Sequence, residues 1–189
     1  MSLNNKIYLW RIADNYPNDF IGIYDDNNGP DQFMFKKCEK AGTELETPVI
    51  NFPDVTSEEL KKYGVLASNA RLPIVGEEVL SILQEFQPYG FQVLDVKIQT
   101  NDGELAGYYL INVLNKVDGV DEEKSEIKYL PRSSQVMAYN HVVYKKGCLE
   151  GLNIARNKDF PSHLLISEYL KNRLNSVGNL GLELIQVSD

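Results

Sequence analysis

Two segments of the chain, 74–94 and 165–185, repeat the same pattern of residue types at a constant offset of 91 positions. Each begins with a short apolar stretch followed by an acid, Glu77 or Glu168. Apolar residues then recur at i, i+4 and i+7, the spacing of one helix face. They are Val79, Leu83 and Phe86 in the first segment, and Leu170, Leu174 and Val177 in the second. Each segment ends with a glycine and another apolar stretch, so the chain is predicted to contain two similar strand–helix–strand units.

Most of the remaining chain is predicted to form strands joined by turns. Pro88 and Gly90 are expected to end the first helix, and Thr56 or Ser57 to cap a short one. Asp102-Gly103 favours a tight turn between two strands. The predicted strands are 6–13, 20–24, 49–52, 91–99, 105–113, 126–130, 136–144, 152–155, 163–166 and 180–187.

This order of elements predicts an α+β fold. Each apolar helix face has to cover a sheet, so the two units are expected to pack on mixed or antiparallel sheets. A chain of 189 residues fits one compact domain. The alternative is two sub-domains, a β-rich part at 1–71 and a part at 72–189 that contains both units.

Between the two units lies a segment, 107–126, that changes character along its length. It begins as Gly107-Tyr108-Tyr109-Leu110-Ile111-Asn112-Val113, with apolar residues on both faces, as expected of a strand in the middle of a sheet. Asn112 is the polar exception, and we expect it to satisfy a buried backbone group. The segment then becomes an acidic turn, 118–126, whose charged residues are Asp118, Asp121, Glu122, Glu123, Lys124 and Glu126.

The net charge of −8 is concentrated in the middle of the chain. Residues 76–126 contain 11 acids and 3 bases, whereas the charges of the two flanking parts nearly cancel. Nucleic acid is therefore not expected as a partner, because binding to phosphates requires a basic face. An acidic surface can instead attract a basic protein, although most charge clusters only keep a surface solvated.

No catalytic or metal-binding motif is present in the sequence. The histidines, His141 and His163, are not spaced as zinc ligands, and no phosphate-binding loop or nucleophile elbow occurs. Cys38 and Cys148 are far apart and are expected to be unpaired thiols, with one bridge between them as the alternative. No cofactor is predicted. The enzymatic alternative is a small cytosolic hydrolase or metal-dependent enzyme that uses Asp118, Asp121 and His141.

Several of these motifs resemble the immunity-protein family numbered eleven, whose members neutralise toxins of bacterial polymorphic toxin systems. The resemblance rests on the strand 107–113 followed by Asp118, Asp121 and Lys124-Ser125-Glu126. It extends to the opening strand, to Leu72-Pro73 before the first helix, and to Ile166-Ser167-Glu168 with Gly181. Agreement is weakest at 25–31 and 32–45.

The resemblance implies a cytoplasmic α+β protein that binds a cognate toxin and is not an enzyme. It assigns no contact residues, so the expected toxin-binding surface is argued from charge alone. That surface is the acidic turn, which would face a basic toxin. Gly107, Tyr108, Tyr109, Asn112 and Ser125 are expected to be structural, with Asn112 and Ser125 ordering the turn through local hydrogen bonds. No window is apolar enough to span a membrane, and no signal peptide is expected.

Overall fold

The computed structural model describes residues 6–86, 89–133 and 136–188, so Pro88 lies outside the described residues. The helices are α1 (Ser57–Leu60), α2 (Glu77–Phe86) and α3 (Glu168–Leu174), with 3-10 turns at Asn18–Phe20 and Gln32–Lys36. The strands are β1 (Ile7–Ile12), β2 (Ile23–Tyr24), β3 (Val49–Phe52), β4 (Val65–Leu66), β5 (Ile74–Gly76), β6 (Phe91–Asp95), β7 (Lys97–Thr100), β8 (Gly103–Leu105), β9 (Tyr108–Val113), β10 (Lys116–Val117), β11 (Glu126–Tyr129), β12 (Val136–His141), β13 (Ile154–Asn157), β14 (Leu164–Ser167) and β15 (Leu182–Gln186).

The described strands form four sheets, and three helices pack on or beside them. The strand orders are β10-β13-β14-β1-β15, β4-β5-β9-β6, β2-β3-β7-β8 and the two-stranded β11-β12. Most pairings are antiparallel, but β3 with β7 and β10 with β13 are parallel. The predicted α+β class with mixed and antiparallel sheets is therefore confirmed. Among the described helices, none is long and apolar enough to cross a membrane.

The two repeated units have the same place in their sheets. In the first, β5 and β6 lie on either side of β9, and Leu110 of β9 faces Ile74 and Leu94. In the second, β14 and β15 lie on either side of β1, and Leu9 faces Leu165 and Ile185. The outer partners keep the offset of 91 residues. The middle strand of the second unit comes from the start of the chain, where the offset could not reveal it.

Alternating side chains of the sheet β4-β5-β9-β6 enter two different cores. Val75 and Ile111 lie in the first core with residues of α2, α3 and the five-stranded sheet. Ile74 and Leu110 lie in the second core, on the side of the sheet β2-β3-β7-β8. Strand β9 is thus apolar on both faces because both of its faces are buried, as predicted.

The helices are held at their starts and against each other. Thr56 caps α1 in a capping box with Glu59, and Ser167 caps α3 by accepting from the amide of Leu170. Such caps satisfy helix amides that otherwise lack partners. Arg173 of α3 reaches Glu85 of α2 at 2.9 Å on the exposed side of the helix pair.

The five-stranded sheet separates the first core from a third. Ile7 and Leu165 lie on the face of this sheet opposite the first core. There they are buried against Val120, Tyr144 and Leu149. The segment that contains the acidic turn thus covers the outer face of this sheet. The division into sub-domains at residue 71 stays a prediction.

Three predicted strands were wrong in detail. The segment 91–99 is not one strand, because the chain leaves β6 at Asp95 and enters β7 in another sheet at Lys97. The segment 105–113 likewise divides between β8 and β9. In 20–24 only the last two residues are a strand. The first two errors joined strands that lie in different sheets, and the third extended a strand back to the end of a 3-10 turn. Hydrophobic periodicity alone does not locate such breaks.

Candidate functional site: an acidic turn beside an exposed hairpin

The acidic turn does not follow directly from β9, as the sequence had suggested. Strand β10 lies between them and pairs in parallel with β13 in the five-stranded sheet. The chain then enters the turn through Val120, which forms a β-bridge with Tyr144, and Tyr144 forms another with Ser188. Val120 and Tyr144 are both buried, so the start of the turn is anchored in the third core.

Backbone hydrogen bonds hold the turn against the segment that follows β12. The amide of Asp121 donates to the carbonyl of Val143 at 2.8 Å, and the amide of Lys145 donates to Gly119 at 2.7 Å. A glycine at position 119 lets the backbone of the turn pack closely against Cys148, because a Cβ there would lie 2.7 Å from Sγ of Cys148. The turn therefore has a fixed base.

Ser125 closes the turn and ties its far end to the same segment. Its amide donates to the carbonyl of Asp121 at 2.9 Å, which makes one helix-like turn. Its hydroxyl accepts from the amide of Val143 at 2.9 Å and donates to the carbonyl of Val143 at 3.2 Å. A single side chain thus orders the tip of the turn.

The carboxylates of the turn point mainly into solvent. Glu122, Glu123 and Glu126 are exposed. Asp118 is 63% exposed and lies 3.7 Å from Lys158, whereas Asp121 is less exposed and lies 3.9 Å from Lys124. Ion pairs this exposed contribute little to stability. The turn consequently presents negative charge that is only partly balanced by two nearby lysines.

The hairpin β11–β12 follows the turn and exposes apolar side chains. Tyr129 and Met137 are 49% and 56% exposed, and Leu130 is also exposed. Among the described strands, β11 and β12 pair only with each other. A two-stranded hairpin is only marginally stable by itself in water. Exposed aromatic and Met side chains bordered by charge are typical of protein-binding surfaces.

The residues named for the enzymatic alternative are not arranged as a catalytic site. Asp118 is in an exposed ion pair, and His141 is exposed, opposite Glu126 in the hairpin. A cavity of about 340 Å³ between β1 and the pair β13–β14 is lined by neither of them, nor by Asp121. Within the part of the chain that the structure describes, no three His, Cys, Asp or Glu side chains are placed to hold a metal ion.

The residues expected to be structural lie mostly inside the molecule. Gly107 has a positive φ of 86°, and Tyr108 donates its hydroxyl to the carbonyl of Tyr63 at 2.7 Å. Burial raises the pKa of Tyr108 to about 12. Asn112 is buried and donates Nδ2 to the carbonyl of Glu39 at 2.9 Å, which holds β9 to the N-terminal segment. These residues support the sheet, and the hydrogen bonds of the Asn112 side chain to described residues go to Glu39 and Gln92, whereas Ser125 orders the acidic turn.

One comparison with known proteins is informative. The family model described as "Immunity protein family (Imm11)" matches residues 27–189 of the chain. The chain belongs to the Imm11 immunity protein family. A search among curated proteins found no match.

The matched region contains the acidic turn, the hairpin and both repeated units apart from β1. The opening strand, which also resembled the family, lies before the match. Residues 32–45, where agreement was weakest, lie inside it. Cys38 and Cys148 of this Imm11 protein do not form a disulfide, as the sequence had suggested.

Sequence reasoning did not identify two features of this Imm11 protein. The exposed apolar residues of the hairpin were assigned to strands, and their exposure depends on which strands pair. The predicted strand 152–155 stops before Arg156, although Arg156 lies within the buried strand β13 and is 1% exposed. Nothing local in the sequence distinguishes it from a surface arginine.

Proposed function

We propose that this protein binds a cognate toxin of a polymorphic toxin system and neutralises it by protein–protein contact, without catalysis. The observation that carries the proposal is the Imm11 match over residues 27–189. An immunity protein that acts by contact needs a fixed, accessible surface and no reactive group. We propose the cytoplasm as the place where it acts.

The proposed toxin-binding surface consists of the acidic turn and the hairpin β11–β12. The turn supplies Glu122 and Glu123, which are exposed and make no hydrogen bond or ion pair with other described residues. The hairpin supplies Tyr129, Leu130 and Met137 as an apolar contact area. This combination resembles the apolar centre and polar rim of known interfaces.

Charge supports a basic partner. Opposite charges on two surfaces increase the rate of encounter and disfavour wrong partners, and both effects weaken as salt is added. The anchoring of the turn through Val120 and Ser125 adds to affinity, because little conformational entropy is lost when an ordered loop binds.

The first experiment is co-expression with the toxin encoded beside this protein. Growth should be restored, and the two purified proteins should elute together from a size-exclusion column. Tyr129→Ala with Met137→Ala should weaken the complex, whereas Tyr89→Ala, at another exposed tyrosine, should not. If the wild-type protein neither restores growth nor forms a complex, the proposed function is wrong. If it does both and the hairpin variant binds equally well, the function stands and the surface is wrong.

A further inference from the structure

A cavity of about 340 Å³ lies between β1, the segment after β4 and the pair β13–β14. Trp10, Leu72 and Leu164 give it apolar walls. Arg156 and Ser68 line it from the inside, and both are buried. The volume is in the range of small-molecule sites. The cavity is on a different part of the fold from the acidic turn.

Arg156 is a buried charge without a counter-ion. Its Nη1 donates to the carbonyl of Pro161 at 2.7 Å. Its Nε and Nη2 have no hydrogen-bond partner among the described residues, and no described carboxylate lies within 4.0 Å. A guanidinium stays charged at physiological pH, and an unpaired buried charge is unfavourable. Native proteins seldom keep such a group without a use.

The two unpaired nitrogens form one edge of the guanidinium. Nε–H and the outward N–H of Nη2 point in the same direction, and this edge matches two oxygens of a carboxylate or phosphate. The hydroxyl of Ser68, in the same cavity, also lacks a partner among the described residues. Three covered donors without acceptors therefore lie on two residues that line the same cavity.

Other positive groups surround the cavity. Arg71 lies at its exposed rim and has a positive φ of 53°, a backbone conformation that is rare for a residue with a side chain. Burial, and then the charges of Arg156 and Arg71, lower the pKa of Lys36. Burial, and then the charge of Arg71, lower the pKa of His163, which lines the cavity, so its neutral form is favoured. Arg156 and Arg71 thus place positive charge at this cavity in a protein whose net charge is −8.

We propose that this cavity binds a small organic anion, whose carboxylate or phosphate pairs with the Nε–Nη2 edge of Arg156 and whose apolar body packs against Trp10 and Leu164. Ser68 donates a further hydrogen bond, and Arg71 attracts the anion at the rim. The donor nitrogens are almost fully covered, so entry requires a small movement of exposed rim side chains such as Arg71. This proposal does not depend on toxin binding.

The test is to measure the binding of small anions to the purified protein, by calorimetry and by changes in amide chemical shifts. The probes are phenylacetate, phenyl phosphate, inorganic phosphate and the neutral phenylacetamide. We expect phenylacetate or phenyl phosphate to bind and to shift the amides of Ser68 and Arg156, with phenylacetamide showing no binding. The stronger of the two anions identifies the group that the site prefers.

Variants locate the binding. Arg156→Lys keeps the charge but loses the paired donors, so affinity should fall by about tenfold or more. Arg71→Asn, which tolerates the positive φ, should weaken binding and its salt dependence without disturbing the core. Arg173→Lys, at an exposed ion pair on α3, is the matched control and should bind like wild type. If no anion binds at millimolar concentration, or if Arg156→Lys and Arg71→Asn both bind like wild type, the proposal is wrong.

Discussion

Removing the hydroxyl of Ser125 tests how the acidic turn is ordered. In Ser125→Ala the amide of Val143 loses its acceptor, whereas the carbonyl of Val143 keeps the bond from Asp121. One partly buried donor is then unsatisfied, which costs about 1–3 kcal/mol. For a chain of this size, a loss of 1 kcal/mol lowers the melting temperature by roughly 2–4 °C. We therefore expect a decrease of about 2–12 °C in a thermal unfolding experiment.

The matched control is Ser81→Ala, because among the described residues the Ser81 hydroxyl bonds only to the Glu77 carbonyl, on an exposed helix face. That change should alter the free energy of unfolding by less than about 0.5 kcal/mol. Hydrogen exchange adds a local measurement, and the amides of Asp121 and Val143 should lose protection in Ser125→Ala only. If Ser125→Ala is as stable as the control and these amides remain protected, Ser125 does not order the turn.

Three further predictions concern the core and the pH dependence. Gly119→Ala should lower the free energy of unfolding, measured by chemical denaturation, by about 1–3 kcal/mol, because the new Cβ would lie 2.7 Å from Sγ of Cys148. Adding Cys148→Ala should recover part of this loss. If the effects of the two substitutions on stability simply add, the predicted contact is wrong. Leu174→Ala removes a fully buried side chain of α3 and should cost about 2–5 kcal/mol, a value below 1 kcal/mol being incompatible with the described core. Burial lowers the pKa of His163, so as the pH falls this histidine is protonated in the unfolded chain before it is protonated in the folded one. The free energy of unfolding should therefore decrease from about pH 6.5 downward. His163→Gln should lose this part of the pH dependence, and an unchanged dependence of the free energy of unfolding on pH would refute the prediction.

Local patterns predicted the parts of the fold that depend on local chemistry. Ser167 caps its helix, and the spacing of Leu170 and Leu174 places both on the buried face of α3. The repeated units were visible because the same chemistry recurs at a fixed offset. These features need only the 3.6-residue period and the unpaired amides at a helix start.

Features that depend on long-range pairing were not predictable in the same way. Strand β1 completes the second unit, although Tyr8 and its partner Ile166 in β14 are 158 positions apart in the sequence. The break at Val96 places two adjacent strands in different sheets. Arg156 is buried at a cavity that it shares with Ser68 and Leu72, which are distant in the sequence. In each case the outcome is decided by residues far away in sequence.

The same limit applies to the candidate site. The acidic residues and Ser125 were identified from the sequence, but their fixed base at Val143 and Tyr144 required the structure. The exposure of Tyr129 and Met137 follows from the absence of a third strand beside the hairpin among the described residues. Their role in binding a toxin stays a prediction.

The affinity of the purified cognate toxin for a charge-reversed turn tests the central claim most directly. Glu122→Lys with Glu123→Lys changes two exposed residues that make no described contact, and Glu44→Lys with Glu46→Lys makes the same change elsewhere on the surface. Calorimetry at low and high salt should show the first variant binding about tenfold or more weakly, with a smaller salt dependence, and the second binding like wild type. Equal affinity and equal salt dependence for the wild type and both variants would contradict the acidic turn as the toxin-binding surface.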